Sequence, residues 1–272
     1  VQWAHPRNAL FPHMLSCAED SQRKHLVPVA VSLVSEQCQR ATNIIQVIYD
    51  NDNPVNVTNV SQNGTREPTF AVCLKGLDFP FQDLSARLIE YIELLRILGA
   101  SKIIGYNLAI HPNVSKVLEH YIREGFVDIH PLTLAAGEPN FKNFQHYLLE
   151  EDRSKKRLNE LIPYNDCFYR NMYKYDYIAL LDIDEVIMPM GNFTKWSELI
   201  EQAQRDMIAI KANCPYGRAD ICFQNIYFPH VPTQTYMDDG SPSFLYMLQH
   251  VYRVENYTQV FLMFCRVSGL YY

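Results

Sequence analysis

The stretch that decides the fold is YIALLDIDEVIMP, residues 177–189, in which an apolar strand runs directly into acidic residues. Burying an unpaired carboxylate costs several kcal/mol, so Asp182, Asp184 and Glu185 require solvent, cationic partners or a metal ion. Alternation along an extended segment places Asp182 and Asp184 on one side and turns Ile183 toward the core. The stretch therefore predicts a polar site at the end of a buried strand.

The segments before this stretch alternate between strand and helix patterns. Strands are predicted over 70–74, 102–108, 127–132 and 177–181, and helices over 85–98, from Pro112 to Gly125, over 153–161 and over 164–175, with a break near Pro163. This order predicts an α/β fold, a parallel or mixed Rossmann-like sheet with flanking helices. Ligands of such sheets bind outside the carboxyl ends of the strands, where the acidic residues fall.

The remaining segments predict two further regions. After the acidic residues, a helix is expected over 196–203, followed by a β-rich part with strands over 207–213, 221–228 and 259–267. Upstream, strands are expected over 29–34 and 44–49, and a loop over 50–64. We therefore expect residues 1–65 to form an N-terminal extension with lead-in strands, and residues 66–272 to form the main domain.

Composition excludes several classes of protein. The 272 residues are 48% hydrophobic and 20% charged, with a net charge of −6, which allows a sizeable core. An acidic chain without a long basic run is not typical of a nucleic-acid-binding protein. No apolar run approaches the roughly 18 residues of a membrane span.

Glycosylation acceptor triplets are more frequent than composition predicts. Asn-x-Ser/Thr is expected about 1.5 times by chance, yet six occur, at Asn56, Asn59, Asn63, Asn113, Asn192 and Asn256. The excess indicates passage through the secretory pathway, with residues 56–65 in an exposed loop.

The seven cysteines agree with that compartment. They lack the C-x-x-C spacing of zinc sites, and disulfides form in an oxidising lumen. Cys214 and Cys222 are the closest pair in sequence, but spacing does not give the connectivity. The odd number leaves at least one thiol free or paired outside this chain.

Four interpretations of the acidic residues compete. A calcium loop of the EF-hand kind fails, because Ile187 stands where Gly is needed and Phe193 where Glu is needed. A haloacid-dehalogenase-type phosphatase matches residues 181–186, with Asp182 as nucleophile, but its motif belongs on the first strand of the fold. In a purely structural interpretation the carboxylates cap a helix or pair with arginines.

The fourth interpretation is a divalent-metal clamp for a nucleotide-sugar diphosphate. The departing nucleoside diphosphate gains negative charge, which a hard cation bound by carboxylates stabilises without a proton. The pattern Asp-x-Asp is short, but its place after a strand-helix-strand half with a mixed region downstream favours this use.

The wider sequence resembles glycosyltransferase family 92. The resemblance lies in VAVSLVSEQCQRATN (29–43), LIEYIELLRILGASKIIGYN (88–107), YIREGFVDIHPL (121–132) and PYNDCFYRNMYKYDYIALLDIDEVIMP (163–189), in that order. It implies a Golgi enzyme with a GT-A fold that transfers galactose from UDP-galactose to glycans, and it implies a divalent cofactor such as Mn²⁺.

The resemblance also implies roles for residues. Asp184 would be the main metal ligand, and Asp182 would contact metal and nucleotide. Asn165, Asp166 and Arg170 would line the donor sugar and diphosphate, although Asp166 and Arg170 also suit an ordinary i, i+4 helix pair. Residues 73–76 would lie against the uracil, with Lys75 either a donor contact or a plain surface lysine.

The C-terminal part departs from the family pattern, in which a later segment brings a His near the metal. His250 and His230 are the candidates here, although His250 lies in an apolar helical stretch that suits a core residue. We therefore expect a shortened or divergent C-terminal part. An inverting transfer needs a general base, for which Asp238 and Asp239 are candidates, although they equally suit an Asx turn.

Together these points predict a glycosyltransferase of the Golgi lumen, membrane-anchored through a segment outside this sequence. It would move a hexose, galactose, from a UDP-sugar to a glycan on a glycoprotein or glycolipid. The alternative from another class is a non-catalytic relative that binds glycans or acts as a scaffold.

Overall fold

The computed structural model describes residues 12–16, 26, 28–47, 66–135, 137–209, 220–224, 226–228, 245–247, 250 and 261–266. The chain divides into two compact units, residues 13–53 and a larger unit of residues 1–12 and 54–272. The domain boundary near residue 65 stays a prediction.

The smaller unit contains one antiparallel pair, β1 (Ala30–Val31) and β2 (Ile45–Gln46). The strands predicted over 29–34 and 44–49 were therefore too long, as far as these residues are described. Side chains around both strands are largely exposed, so no core face supports a longer ladder.

The larger unit holds a six-stranded sheet in the order β5-β4-β3-β6-β8-β7. Its first four strands are mutually parallel, and β8 and β7 continue the sheet in antiparallel fashion. The strands are β3 (Phe70–Phe79), β4 (Lys102–Ile110), β5 (Val127–Pro131), β6 (Tyr177–Leu181), β7 (Asp220–Gln224) and β8 (Phe261–Arg266). The predicted α/β class with a mixed sheet is confirmed.

Helices cover both faces of this sheet. They are α1 (Ser85–Leu98), α2 (Pro112–Arg123), α3 (Lys142–Glu151), α4 (Arg153–Asn171) and α5 (Trp196–Ala209). Side chains of β3 alternate between the two faces: Phe70, Val72 and Leu74 pack with α1, α2 and α5 in one core, and Ala71 and Cys73 pack with α4 in the other.

Local sequence signals set several element ends where they were predicted. Strand β6 spans the predicted residues, and α1 runs to Leu98 because Gly99 adopts a left-handed φ of 101°. Helix α2 begins at Pro112, where a missing N–H costs nothing. Ser85 is the first residue of α1, and its backbone N–H donates a hydrogen bond to Asp83 Oδ1 at 3.1 Å.

The predicted helix break at Pro163 is wrong, because α4 continues through this residue to Asn171. A proline inside a helix costs about 3 kcal/mol in lost hydrogen bonding and steric conflict. Here Pro163 is buried, and a disulfide between Cys167 and Cys73 ties the second half of α4 to β3. Tertiary packing thus outweighs the local preference.

Two helical segments differ from the prediction. Helix α3 was not predicted, because its N-cap residue Phe141 makes no side-chain capping hydrogen bond and only Gln145 and Leu149 are buried. The strand predicted over 207–213 is wrong at residues 207–209, which extend α5, because adding a residue to an existing helix requires no new nucleus. Residues 210–213 lie outside the described part of the chain.

The strand predicted over 221–228 appears as β7, which does not extend to residues 226–228. Within the strand predicted over 259–267, residues 261–266 form β8, and residues 259, 260 and 267 lie outside the described part of the chain. Among the helices that the structure describes, none combines the length and apolar character needed to cross a bilayer.

Candidate active site

The acidic stretch forms a turn at the carboxyl end of β6. The Glu185 backbone N–H donates to the Asp182 carbonyl oxygen at 3.0 Å, and the Asp182 backbone N–H donates to Glu185 Oε2 at 3.1 Å. We call residues 182–185 the acidic turn. Downstream, the indole N–H of the buried Trp196 donates to the Ile187 carbonyl at 2.7 Å and anchors the exit from the turn.

Both predicted aspartates face one cavity. Its volume is about 220 Å³, and it lies at the carboxyl ends of β3, β4 and β6 against α1, α3 and α4. Ile183 packs on the core, as predicted, but a turn rather than an extended segment produces this arrangement. The lining residues are Leu74, Lys75, Gly76, Leu77, Asp78, Phe79, Arg87, Leu108, Leu132, Leu149, Lys156, Asn159, Glu160, Asp182, Ile183 and Asp184.

Asp182 is bound through both carboxylate oxygens. Lys75 Nζ donates to Oδ2 at 2.5 Å, and the Tyr164 hydroxyl donates to Oδ1 at 2.9 Å. Lys75 Nζ also lies 3.4 Å from Glu160 Oε1 on α4. Burial alone would lower the pKa of Lys75, but its hydrogen bond to Asp182 and the two carboxylate charges outweigh burial and raise it. The Lys75 ammonium therefore stays charged and links β3, α4 and the acidic turn.

The Tyr164 hydroxyl also keeps its proton. Burial first, and then the negative charge of Asp182, raise the pKa of Tyr164 far above its usual value. Tyr164 is therefore a constant hydrogen-bond donor to Asp182.

Asp184 is the open carboxylate of the turn. Its side chain is 58% exposed, and its Oδ2 lies 3.4 Å from an Nη atom of Arg87, too far for a strong hydrogen bond. Arg87 also makes a cation–π contact, with its guanidinium carbon 3.9 Å from the centre of the Tyr246 ring. Arg87 Nε is buried without a hydrogen-bond partner among the described residues.

Glu185 faces inward and supports the turn. Burial, together with the charges of Asp182 and Asp184, raises its pKa despite the backbone N–H that it accepts. Glu185 is absent from the cavity lining. Its role in the described part of the chain is to hold the turn closed.

Of the predicted donor-binding residues, Lys75 lines the cavity with the two aspartates, while three others lie outside its lining. The Asn165 amide donates to the Leu161 carbonyl at 2.7 Å. Asp166 accepts hydrogen bonds from Arg170 Nε at 2.6 Å and from the Tyr106 hydroxyl at 2.7 Å. The i, i+4 pair expected as the alternative is therefore formed.

Of the residues predicted to meet the uracil, Cys73 is fully buried in its disulfide with Cys167. Leu74, Lys75 and Gly76 line the cavity. A Cβ atom at Gly76 would come within 2.9 Å of Leu108 Cδ1, so glycine keeps this wall open.

The C-terminal candidates are only partly described. His250 Nδ1 lies 2.9 Å from the Tyr246 carbonyl oxygen, and the two rings are 4.4 Å apart, so His250 belongs to the segment behind Arg87. His230, Asp238 and Asp239 lie outside the described residues.

The glycosylation candidates divide in the same way. Asn113 and Asn192 are exposed, and Asn113 also donates to Asp83 Oδ2 at 2.6 Å. The others, Asn56, Asn59, Asn63 and Asn256, lie outside the described residues.

Five residues of this site were not predicted. Arg87, Glu160 and Asp78 line the cavity, Tyr164 donates to Asp182, and His146 Nδ1 lies 3.1 Å from Asp78 Oδ2. Asp78 follows Lys75 near the end of β3, so the strand-end rule that selected Asp182 could have selected it as well. Arg87 lies in the first turn of α1, directly after that strand. Glu160 and Tyr164 are one helical turn apart on α4, and no local pattern marks them.

The carboxylates of this site fit a divalent cation that is held partly by the protein and partly by phosphate oxygens of a bound nucleotide. Within the described residues no group of three or more His, Cys, Asp or Glu side chains is arranged as a metal cage. Magnesium-like cations are typically held by one or two carboxylates plus phosphate oxygens and water. The exposed Asp184 carboxylate meets that requirement, whereas both oxygens of Asp182 are already engaged.

A four-stranded parallel sheet, flanked by helices and bearing an acidic turn at its carboxyl edge, defines the α/β glycosyltransferase-like class of fold. The family model of glycosyltransferase family 92 matches residues 68–260, well over half of the 272 residues, and the chain belongs to this family. The match begins after the segment 29–43 that carries part of the resemblance, and it continues beyond Pro189. No curated protein matches the chain at a significant level.

Proposed function

We propose that this chain transfers a hexose, galactose, from a UDP-sugar to a glycan acceptor, assisted by a divalent cation such as Mn²⁺. The family is one of glycosyltransferases, which implies a sugar donor and a glycan acceptor in general. The observation that carries the finer proposal is the shared cavity, which brings Asp182 and Asp184 together with the cations Lys75 and Arg87.

The charges of the cavity suit a diphosphate. Arg87 presents a guanidinium held by the Tyr246 ring, and its Nε is without a partner among the described residues. A guanidinium recognises phosphate oxygens well because its N–H groups form a planar fork. We assign Arg87 to the diphosphate, and Lys75 to holding Asp182 in place.

Asp184 would hold the cation, with Asp182 beside it. When bound, a divalent cation supplies positive charge that stabilises the departing diphosphate without a proton. Asp182, fixed by Lys75 and Tyr164, is placed to accept hydrogen bonds from ribose or from water around the cation. The general base stays unassigned, with Asp238 and Asp239 as candidates.

Two features support a location in the secretory pathway, for which we propose the Golgi lumen. The disulfide joins residues 94 positions apart and is typical of an oxidising compartment. Asn113 and Asn192 are exposed acceptor sites. The acceptor would then be a glycan on a glycoprotein or glycolipid of that compartment.

The direct test measures UDP release from UDP-galactose with and without Mn²⁺, over a panel of glycan acceptors. We expect release that requires both the cation and an acceptor. Calorimetric titration with UDP and Mn²⁺ accompanies it. Binding of UDP without release or transfer would favour the non-catalytic relative, and absence of UDP binding by the folded full chain would overturn the proposal.

A further inference from the structure

Asp78 is a buried carboxylate in the wall of the cavity. Its side chain is only 6% exposed, although it lies near the end of β3 among the lining residues. One oxygen, Oδ2, lies 3.1 Å from His146 Nδ1 on α3. The imidazole is itself packed against the Phe81 ring, with 5.5 Å between ring centres, so the pair is fixed.

The other oxygen, Oδ1, is buried and has no hydrogen-bond partner among the residues that the structure describes. A buried polar atom without a partner is uncommon in a folded protein, because it loses its hydration and gains nothing in return. Burial raises the pKa of Asp78 even though the His146 hydrogen bond opposes this. Fold stability therefore does not account for an acid at this position.

Leucine side chains form part of the surroundings of Asp78, and besides His146 the charged groups that act on it are Lys156 and Glu150. Asp78 pairs in register with Ala109 of β4, which places the cavity-lining Leu108 next to it. Leu149 also lines the cavity and lies three residues after His146, on the same face of α3. A flat ring with a hydrogen-bond donor fits such walls, whereas an anionic group would be repelled by Asp78.

This region is separated from the acidic turn. Leu74 pairs in register with Leu181, the residue before Asp182, and Asp78 lies four residues further along β3. The acidic turn begins one residue after Leu181, level with Lys75, so three residues, or about 10 Å at 3.3 Å per residue, separate it from Asp78 along the strand direction. The cavity thus has an end with Lys75, Arg87 and Asp184, and an end where Leu108 and Leu149 lie with the Asp78 carboxylate and the Lys156 ammonium.

We propose that Asp78 Oδ1 accepts a hydrogen bond from a neutral N–H or O–H group of the nucleoside part of the donor. His146 positions the carboxylate from the opposite side. This inference rests on the proposed function, because it assumes that the diphosphate lies beside Arg87 and the acidic turn. It assigns Asp78 to recognition of the donor and not to the chemical step.

The test compares three ligands: UDP with Mn²⁺, uridine, and inorganic pyrophosphate with Mn²⁺. Calorimetric titration of Asp78→Ala should show UDP and uridine affinities about ten- to hundredfold weaker, the usual effect of losing a charged hydrogen-bond partner. Pyrophosphate affinity should stay within about twofold of wild type, since Asp78 is remote from the phosphates. Asp78→Asn keeps an acceptor oxygen and should lose less.

Asp206→Ala is the matched control, because Asp206 is exposed on α5 and bonds only within its helix to Gln202 among the contacts described. Should Asp78→Ala fail to fold, Asp78→Asn decides by the same comparison. If the variants bind UDP with wild-type affinity, or if their affinity for pyrophosphate falls as much as their affinity for UDP, the inference is wrong and the proposed function stands. If the wild type binds no UDP with Mn²⁺, both fall.

Discussion

Asp182 and Asp78 face one cavity from neighbouring strands, but their negative charges are balanced differently. Asp182 has an ammonium at 2.5 Å and a phenol at 2.9 Å, so each of its oxygens has a donor. Asp78 has one oxygen near His146 and one without a partner among the described residues. The difference indicates that Asp182 is held by the fold, whereas Asp78 is left for a ligand. Asp184, exposed and loosely paired, represents a third case, a carboxylate open to a cation.

The largest effect is expected from Asp184→Ala. It removes the open carboxylate, so metal-dependent UDP release from UDP-galactose should fall at least about 100-fold, the scale of losing one stabilising group at a developing charge. The melting temperature should change little, because Asp184 is more than half exposed. Asp206→Ala serves as control, and unchanged UDP and Mn²⁺ binding by Asp184→Ala would show that the metal site lies elsewhere.

The next effect concerns the disulfide that holds the elements around the Lys75–Asp182 pair. The Cys73–Cys167 disulfide fastens β3 to α4, and these elements carry Lys75 and its partners Glu160 and Tyr164. The double variant Cys73→Ala/Cys167→Ala should lose about 2–4 kcal/mol of unfolding free energy. Urea denaturation measures this, with exposed Cys38→Ala as control. An equal loss in both variants would mean that the disulfide adds nothing.

A smaller loss is expected from Lys75→Met, which leaves Asp182 without its cation. The pair is a quarter to a third exposed, so we expect about 1–2 kcal/mol rather than the larger cost of a fully buried pair. That corresponds to a melting temperature about 2–8 °C lower. Adding Asp182→Asn should recover part of the loss, and Lys116→Met, exposed on α2, should have no effect. Without recovery, Lys75 does not stabilise the fold through Asp182.

The smallest effect has the opposite sign. Asp78→Asn should stabilise the ligand-free chain by about 1 kcal/mol at pH 7, because it removes a buried, half-satisfied charge. The pKa of Asp78 is raised above its unfolded value of 3.8, so the folded state binds the proton more readily. Wild-type stability contributed by Asp78 is therefore highest below pH 3.8 and falls as pH rises toward the folded pKa.

Urea unfolding of both proteins at pH 4 and pH 7 tests this prediction, and the gain from Asp78→Asn should be larger at pH 7. The groups that bear on Asp78 are His146, Lys156 and Glu150, and all remain in the variant. A destabilising Asp78→Asn at pH 7 would show that the His146 contact is a net stabilising ion pair.

The features that could be predicted from the sequence are those that depend on local residue patterns. Apolar runs and terminal glycines located β3 to β6, α1 and α2, and the strand-end rule located Asp182 and Asp184. The continuous α4 could not be predicted, because Pro163 is tolerated only through contacts made in three dimensions, including the disulfide from Cys167.

The same limit applies to the site. Lys75 and Asp182 are 107 residues apart, and Asp78 and His146 are 68 apart, so their pairing depends on strand order and helix placement. The role of Arg87 could not be predicted either, because the Tyr246 ring against which its guanidinium packs lies far away in the sequence.

The place of β8 in the sheet affects how the chain can fold during synthesis. Strand β6 carries the acidic turn and pairs on one side with β3, which is made earlier, and on the other with β8. Leu181 and Phe261 are about 80 residues apart, so at roughly 5–20 residues per second β6 waits about 4–16 s on the ribosome for this neighbour. During that interval one side of β6 is an unpaired strand edge, the kind of surface that pairs with other chains, so chaperones have a defined period in which to act.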